Sequence, residues 1–107
     1  LKPEVLLDSI FKRIDEVEQK VKAYVTITKD EAYKRLEELK NSSNKGSLWS
    51  IPIAIKDNIC TKDIKTTCCS KILENFIPPY ESTATQRMLK EDYIIVGKTN
   101  LDEFAMG

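Results

Sequence analysis

Histidine is absent from the 107 residues of this sequence. Catalytic arrangements in which histidine is the base, such as Ser-His-Asp and Cys-His, therefore cannot be built from it. If the chain takes part in acyl transfer, the base that it can offer is a lysine. Cysteine is also sparse, since Cys60, Cys68 and Cys69 are odd in number and lack the spacing of a zinc site. We expect free, buried or half-buried thiols, which are typical of proteins in a reducing compartment.

Glycine is scarce as well, and occurs only as Gly46, Gly97 and Gly107. These residues cannot form a glycine-rich phosphate loop or a dinucleotide-binding fingerprint. Lys98 stands between a glycine and a threonine, as the lysine of a Walker motif does, but the other glycines of that motif are missing. We therefore predict a structural role for Lys98.

An excess of one charge and long apolar runs are missing too. The 17 basic residues balance the 17 acidic residues, which argues against a basic nucleic-acid-binding surface. No apolar run reaches the length of a membrane span, and the first residues do not resemble a signal peptide. The hydrophobic fraction of 41% is nevertheless sufficient for a globular core. One small, soluble, cytoplasmic domain is expected.

The amino-terminal part of the chain predicts two helices that flank a strand. A helix over residues 3–21 is indicated by an apolar stripe that is expected to pack on a core. Residues 23–28 are rich in β-branched side chains and predict a short strand. Thr28 and Glu31 have the spacing of a capping box, which predicts a second helix that ends near Asn41. The stripe of the first helix comprises Leu6, Leu7, Ile10, Phe11, Ile14, Val17 and Val21.

Residues 51–56 predict a buried strand that ends in a lysine. The three isoleucines fall on one face, and Pro52, Ala54 and Lys56 fall on the other. Because both faces are apolar until Lys56, we predict a strand that is covered on both sides, with Lys56 enclosed at its carboxyl end. Active sites of α/β proteins lie at such ends, and burial favours the neutral form of a lysine, which can act as a base. A solvated charge at the end of the strand is the alternative, which spacing alone does not exclude.

The segment after this strand, residues 60–76, has no regular pattern of its own, and a turn into a short helix over residues 70–74 is expected there only from the family resemblance described below. Ser70 could be considered a nucleophile, but the sequence places no base beside it, and a serine at a turn is more often a cap. Ser82 is predicted to be the N-cap of a further helix that ends near Glu91. The residues of that helix predicted to face inward are Ala84, Met88 and Leu89.

Residues 93–96 predict another buried strand, which Gly97 is expected to end. Asn100 and Glu103 have capping-box spacing and predict the start of a helix. Strand, helix and strand in this order predict a βαβ unit with a right-handed crossover. The predicted fold class is therefore α/β.

Four motifs together resemble the amidase signature family, and within it most closely the members that serve tRNA-dependent amidotransferases. The likeness is specific over about residues 48–107 and rests on the order of elements over residues 1–45. The motifs are residues 51–58 (Ile-Pro-Ile-Ala-Ile-Lys-Asp-Asn), 66–70 (Thr-Thr-Cys-Cys-Ser), 73–80 (Leu-Glu-Asn-Phe-Ile-Pro-Pro-Tyr) and 97–107 (Gly-Lys-Thr-Asn-Leu-Asp-Glu-Phe-Ala-Met-Gly).

This resemblance implies the amino-terminal portion of the amidase signature fold, which is a mixed sheet covered by helices. Residues 1–45 would be its helical amino-terminal region, and residues 46–107 the start of its α/β core. Lys56 would be the catalytic base of a Ser–cis-Ser–Lys triad whose serines lie beyond Gly107. The implied reaction hydrolyses glutamine to supply ammonia for converting Glu-tRNA(Gln) to Gln-tRNA(Gln). Another amidase signature hydrolase, or a non-catalytic module that binds a partner through its first helix, are the alternatives.

The resemblance also implies partners, and two positions of this sequence differ from the family pattern. The partners would be the B and C subunits of the complex, with tRNA bound only through the complex. ATP and Mg²⁺ are expected elsewhere in the complex, and no cofactor or metal in this chain.

Ser50 stands where the family usually has a glycine, and the turn at Asp92 and Tyr93 is one residue shorter than usual and lacks a glycine. Alone, the chain is expected to be inactive, and marginally stable or self-associating, because its strands would have unpaired edges.

Overall fold

The structure is a computed structural model that describes residues 2–107. Its helices are α1 (Pro3–Val21), α2 (Lys29–Lys40) and α3 (Thr83–Lys90), and its strands are β1 (Tyr24–Ile27), β2 (Pro52–Lys56) and β3 (Ile94–Thr99). Short 3-10 turns span Lys71–Leu73 and Glu103–Ala105. The predicted α/β class is confirmed. None of the helices within residues 2–107 combines the length and the apolar character needed to cross a bilayer.

The three strands form one mixed sheet in the order β1-β3-β2. Strand β3 lies at the centre, antiparallel to β1 and parallel to β2. The predicted βαβ unit is thus confirmed, because β2 and β3 are parallel neighbours and α3 lies between them in the chain. The register sets Ile55 opposite Lys98 and Lys56 opposite Thr99. Strand β2 is therefore an edge strand within the described residues.

Helices α1 and α2 cover the sheet and supply most of the core. The predicted bounds of α1 are confirmed, and Lys22 ends this helix in the left-handed conformation, with φ 53°. The predicted stripe is wrong at its end, because Val21 is 62% exposed. The buried cluster joins both helices to β3 and comprises Leu7, Phe11, Ile14, Ala32, Leu36, Leu39, Ile94 and Val96.

Helix α2 begins where the capping box predicts, but the predicted capping bond is wrong. The Thr28 side chain makes no capping hydrogen bond to the helix. Its Oγ1 instead donates to the Ile95 carbonyl oxygen at 3.1 Å, and its backbone N–H donates to the Val96 carbonyl oxygen at 3.1 Å. Thr28 thereby ties the start of α2 to the central strand, a partner that local spacing cannot identify.

Helix α3 has the predicted cap and a different buried face. The Ser82 Oγ accepts a hydrogen bond from the Thr85 N–H at 3.1 Å, so the predicted N-cap is confirmed. The prediction that Ala84 faces inward is wrong, because Ala84 is exposed and Thr85 is the buried residue. Met88 and Leu89 are half-buried. The helix ends without glycine because Asp92 itself adopts the left-handed conformation, with φ 70°.

The predicted end of β3 at Gly97 is wrong, since the strand continues to Thr99. Gly97 is needed there because a β-carbon would lie 2.5 Å from the Tyr24 ring and 2.8 Å from the Thr26 carbonyl oxygen of β1. The helix predicted to start at Asn100 is also wrong. The Asn100 Nδ2 donates to the Lys22 carbonyl oxygen, and only the 3-10 turn Glu103–Ala105 follows.

Strand β2 is less covered than predicted. Ile55 is buried, whereas Ile51 is 46% exposed, and Ala54 and Lys56 are also exposed. The prediction of cover on both sides is therefore wrong for the described residues. The physical reason is the position of β2 at the edge of a sheet of three strands. Ala54 and Lys56, which alternate with the buried Ile55, are both exposed within residues 2–107.

Candidate active site

Lys56 is the last residue of β2, at the carboxyl end of the strand as predicted. Its side chain is exposed, so the prediction of an enclosed lysine is wrong for the described residues. None of the ion pairs found among residues 2–107 involves Lys56. The amine is therefore free of a carboxylate partner in this part of the chain.

Asp57 points to the opposite side of the sheet from Lys56. Its side chain is fully buried. The Oδ2 atom accepts a hydrogen bond from the Thr67 N–H at 3.1 Å and a short one from the Thr67 hydroxyl. The Asp57 backbone is fixed as well, because its N–H donates to the Thr99 carbonyl oxygen at 3.0 Å and its carbonyl oxygen accepts from the Cys68 N–H at 2.9 Å.

Lys98 neutralises this buried carboxylate. Its Nζ lies 3.6 Å from the Asp57 Oδ1, and both side chains are fully buried. The ammonium donates to the Ile59 carbonyl oxygen at 2.8 Å and to the hydroxyls of Thr61 and Thr66, each at 2.9 Å. Burial lowers the pKa of Lys98 from its usual value, while the neighbouring Asp57 charge acts in the opposite direction. The predicted structural role of Lys98 is confirmed.

Sequence reasoning missed the pairing of Asp57 with Lys98. The prediction that β3 ends at Gly97 placed Lys98 outside the strand. In the structure Lys98 lies within β3 opposite Ile55, beyond a register shift that interrupts the regular pairing of β2 with β3. Alternation along β3 therefore does not predict the face on which Lys98 lies.

The loop 66–70 wraps around Asp57 and holds two of the cysteines. Cys68 and Cys69 both adopt the left-handed conformation, with φ values of 51° and 54°. All three cysteines are free and half-buried, which confirms the prediction. Burial raises the pKa of the Cys68 thiol, and the nearby Asp57 charge adds to this. Cys68 therefore lacks the lowered pKa that a nucleophilic cysteine needs.

Ser70 has the structural role that was predicted for it. Its Oγ accepts a hydrogen bond from the Ile72 N–H at 3.3 Å, and so caps the 3-10 turn Lys71–Leu73. The hydroxyl donates to a Glu103 carboxylate oxygen at 3.3 Å. Ser70 is only 4% exposed. No hydrogen bond joins Ser70 to a basic side chain within residues 2–107, so this serine lacks an activating base there.

A cavity of about 360 Å³ lies beside this loop. It is lined by residues of β1 and of the loop 65–74, together with Asn100. Lys56 is not one of its lining residues. The cavity and the candidate catalytic lysine are therefore separate features of the molecule.

Comparisons with known proteins agree on one family. The amidase family model matches residues 5–107. The A subunit of glutamyl-tRNA(Gln) amidotransferase from Thermodesulfovibrio yellowstonii is 56% identical over 100% of this chain and 23% of its own length. The protein of the same name from Halothermothrix orenii is 61% identical over 98% of this chain and 21% of its own length. The chain thus spans about a fifth of the length of the curated relatives it matches.

Solved structures agree with the sequence comparisons. The crystal structure of the glutamyl-tRNA(Gln) amidotransferase A subunit from Thermotoga maritima matches with a TM-score of 0.77 at 37% identity, and covers 98% of this chain and 21% of that one. The native peptide amidase of Stenotrophomonas maltophilia matches with a TM-score of 0.83 at 26% identity, and covers 97% of this chain and 22% of that one. The sheet and helices described above therefore correspond to part of a larger fold.

Proposed function

Because this chain belongs to the amidase family, we propose that it carries the lysine base of a glutaminase, as part of the A subunit of a glutamyl-tRNA(Gln) amidotransferase. The two relatives of this name described above match 98–100% of the chain at 56–61% identity. The match to a peptide amidase is weaker, at 26% identity. The proposed substrate is accordingly the side-chain amide of glutamine.

One observation carries the proposed role of Lys56. Its amine lies exposed at the end of β2 without a carboxylate partner among residues 2–107, while the adjacent Asp57 is turned inward and paired with Lys98. A general base must be able to lose its proton, and a neighbouring carboxylate would favour the charged amine. In the proposed triad, the nucleophilic serine attacks the amide carbon and passes its proton to the bridging serine, which passes its own proton to neutral Lys56. The proton then returns along the same route to the amide nitrogen, which leaves as ammonia from the acyl-enzyme. Both serines would be supplied by chain outside residues 1–107.

The proposed fate of the ammonia involves other proteins. It would convert Glu-tRNA(Gln) to Gln-tRNA(Gln) in a complex with the B and C subunits, in which ATP and Mg²⁺ act outside this chain. The balanced charge of this chain, with 17 basic and 17 acidic residues, accords with tRNA that is bound only through the complex.

A chimeric protein tests this function. In it, residues 1–107 replace the matching segment of the Halothermothrix orenii relative, and the chimera is produced together with the B and C subunits. We expect it to hydrolyse glutamine and to support formation of Gln-tRNA(Gln). Activity on peptide amides but not on glutamine would instead favour the peptide-amidase alternative. A folded complex without amidase activity of either kind would overturn both.

A further inference from the structure

A buried group of polar side chains lies directly beneath the candidate base. We define the Lys98 cluster as Asp57, Thr61, Thr66, Thr67 and Lys98, all of which are at least 94% buried. It joins the end of β2 to β3 and to the loop between Ile59 and Thr67. The cluster faces away from the exposed side chain of Lys56, so none of its members has direct contact with the proposed chemistry.

On the basis of the proposed role of Lys56 as the base, we propose that the Lys98 cluster positions Lys56 by holding Asp57 on the buried side of the sheet. Lys98, Asp57 and Thr67 are thus assigned as positioning residues for amide hydrolysis.

Five contacts converge on Asp57 and hold it on the buried side of the sheet. Its backbone N–H and carbonyl oxygen are bonded to Thr99 and Cys68. Its Oδ2 accepts two hydrogen bonds from Thr67, and its Oδ1 faces the Lys98 ammonium at 3.6 Å. Asp57 directly follows the last residue of β2, and its N–H continues the pairing with β3 at Thr99. Neighbouring side chains of such a paired, extended segment point to opposite faces. Fixing Asp57 inward therefore fixes the direction in which Lys56 leaves the sheet.

The same contacts keep a negative charge away from Lys56. If Asp57 turned towards the open face, its carboxylate would lie beside the amine and favour the charged form. Such a pair would remove the neutral amine that a general base requires. The cluster therefore acts on both the orientation and the charge of Lys56.

Stability alone accounts poorly for this arrangement. The Lys98 ammonium uses its three donors on Ile59, Thr61 and Thr66, and Asp57 Oδ1 has no hydrogen-bond partner among residues 2–107. A buried ion pair often contributes less to stability than apolar residues of similar size. The proposed role explains why the ion pair of Asp57 and Lys98 is present, because the pair holds the carboxylate that follows the base on the buried side of the sheet.

Matched threonine variants of the chimera test the proposal. Thr67→Val removes the hydroxyl that binds Asp57, and Thr28→Val removes an equally buried hydroxyl that binds Ile95 instead. We expect both variants to lose similar thermal stability. Only Thr67→Val should lower kcat for glutamine, by about 10- to 100-fold with little change in KM, because small displacements of a catalytic group cost that much. Thr67→Ser, which restores the hydroxyl, should recover kcat.

Each result decides between the two assignments. If Lys56→Ala abolishes glutamine hydrolysis but folded Thr67→Val keeps the kcat of Thr28→Val, the positioning role is wrong and the base assignment stands. If Lys56→Ala remains active, the proposed function itself fails. Should Thr67→Val not fold, Asp57→Asn takes its place, since it keeps the size and removes the charge. Full kcat in folded Asp57→Asn would overturn the positioning role.

Discussion

Ser50 is a non-glycine residue in a backbone conformation that suits glycine better. It adopts φ 57°, in the left-handed region that favours glycine. Its N–H donates to the Asp92 carbonyl oxygen at 2.9 Å, which holds the loop before β2 against the turn before β3. The family resemblance places a glycine at this position, and the observed φ gives the physical reason for that preference.

We therefore predict that Ser50→Gly stabilises the chain. Relief of the left-handed strain, less the greater flexibility of glycine in the unfolded state, should raise the free energy of unfolding by about 0.5–1 kcal/mol. Urea unfolding at one protein concentration measures this. Ser47→Gly, in the same loop but without a positive φ, is the control and should not stabilise. Equal loss of stability in both variants would contradict the prediction.

The role of a single residue could be predicted from the sequence only where it depends on residues nearby in the chain. The place of Lys56 at a strand end follows from alternation within one short segment, and the cap at Ser82 follows from its own neighbours. The partner of Asp57 could not be predicted, because Lys98 meets it only when β2 and β3 pair. The hydrogen bond from Thr28 to Ile95 could not be predicted either, because it forms only when the start of α2 meets β3.

At the scale of elements, Gly97 explains how β1 joins the sheet. The Tyr24 ring and the Thr26 carbonyl oxygen occupy the space that a β-carbon at position 97 would need. Strand β1 can pair with β3 only because that side chain is missing. Gly97 was predicted to end β3, and it instead allows the backbone of β1 to approach β3 closely.

Gly97→Ala should consequently detach β1 from β3. A β-carbon 2.5 Å from the Tyr24 ring forces a shift, and such overpacking costs about 1–3 kcal/mol. Hydrogen exchange would show faster exchange of the β1 amides than of the α2 amides. Unchanged protection of Thr26 and Ile27 in the variant would show that the strand accommodates the methyl group.

Helix α1 could be predicted to its bounds, because its apolar period is regular over the whole element. The cover of β2 could not be predicted. The same apolar pattern suits a central strand and an edge strand, and the number of neighbours is a property of the sheet. Asn100 has the spacing of a helix cap, but its amide binds the Lys22 carbonyl oxygen, and this contact ends the regular structure instead.

At the scale of the whole molecule, several large apolar side chains are left exposed among residues 2–107. Strand β2 has a free edge among residues 2–107, and the most exposed large apolar side chains are Ile72 at 81% and Met106 at 85%. A second cavity of about 270 Å³ lies along α1 and is lined largely by apolar side chains, including Ile10, Val17 and Val21. Exposed strand edges and apolar patches promote association.

The isolated 107-residue chain should accordingly self-associate and show no glutaminase activity. The two serines of the proposed triad are expected outside residues 1–107, and the loss of such groups costs several orders of magnitude in rate. Sedimentation over a range of concentrations, combined with hydrogen exchange of the β2 and β3 amides, measures the first part. A dilute monomer with strongly protected strand amides would show that the chain is self-sufficient.

Glutamine turnover by the Lys56→Ala chimera tests the central claim most directly. Lys34→Ala, which removes another exposed lysine without an ion pair among residues 2–107, is the matched control. If Lys56 is the general base, its removal should lower kcat by about 10²- to 10⁴-fold or more, while the complex stays folded and Lys34→Ala keeps the activity of the parent. A folded Lys56→Ala complex with the same kcat as Lys34→Ala would contradict the assignment of Lys56 as the base.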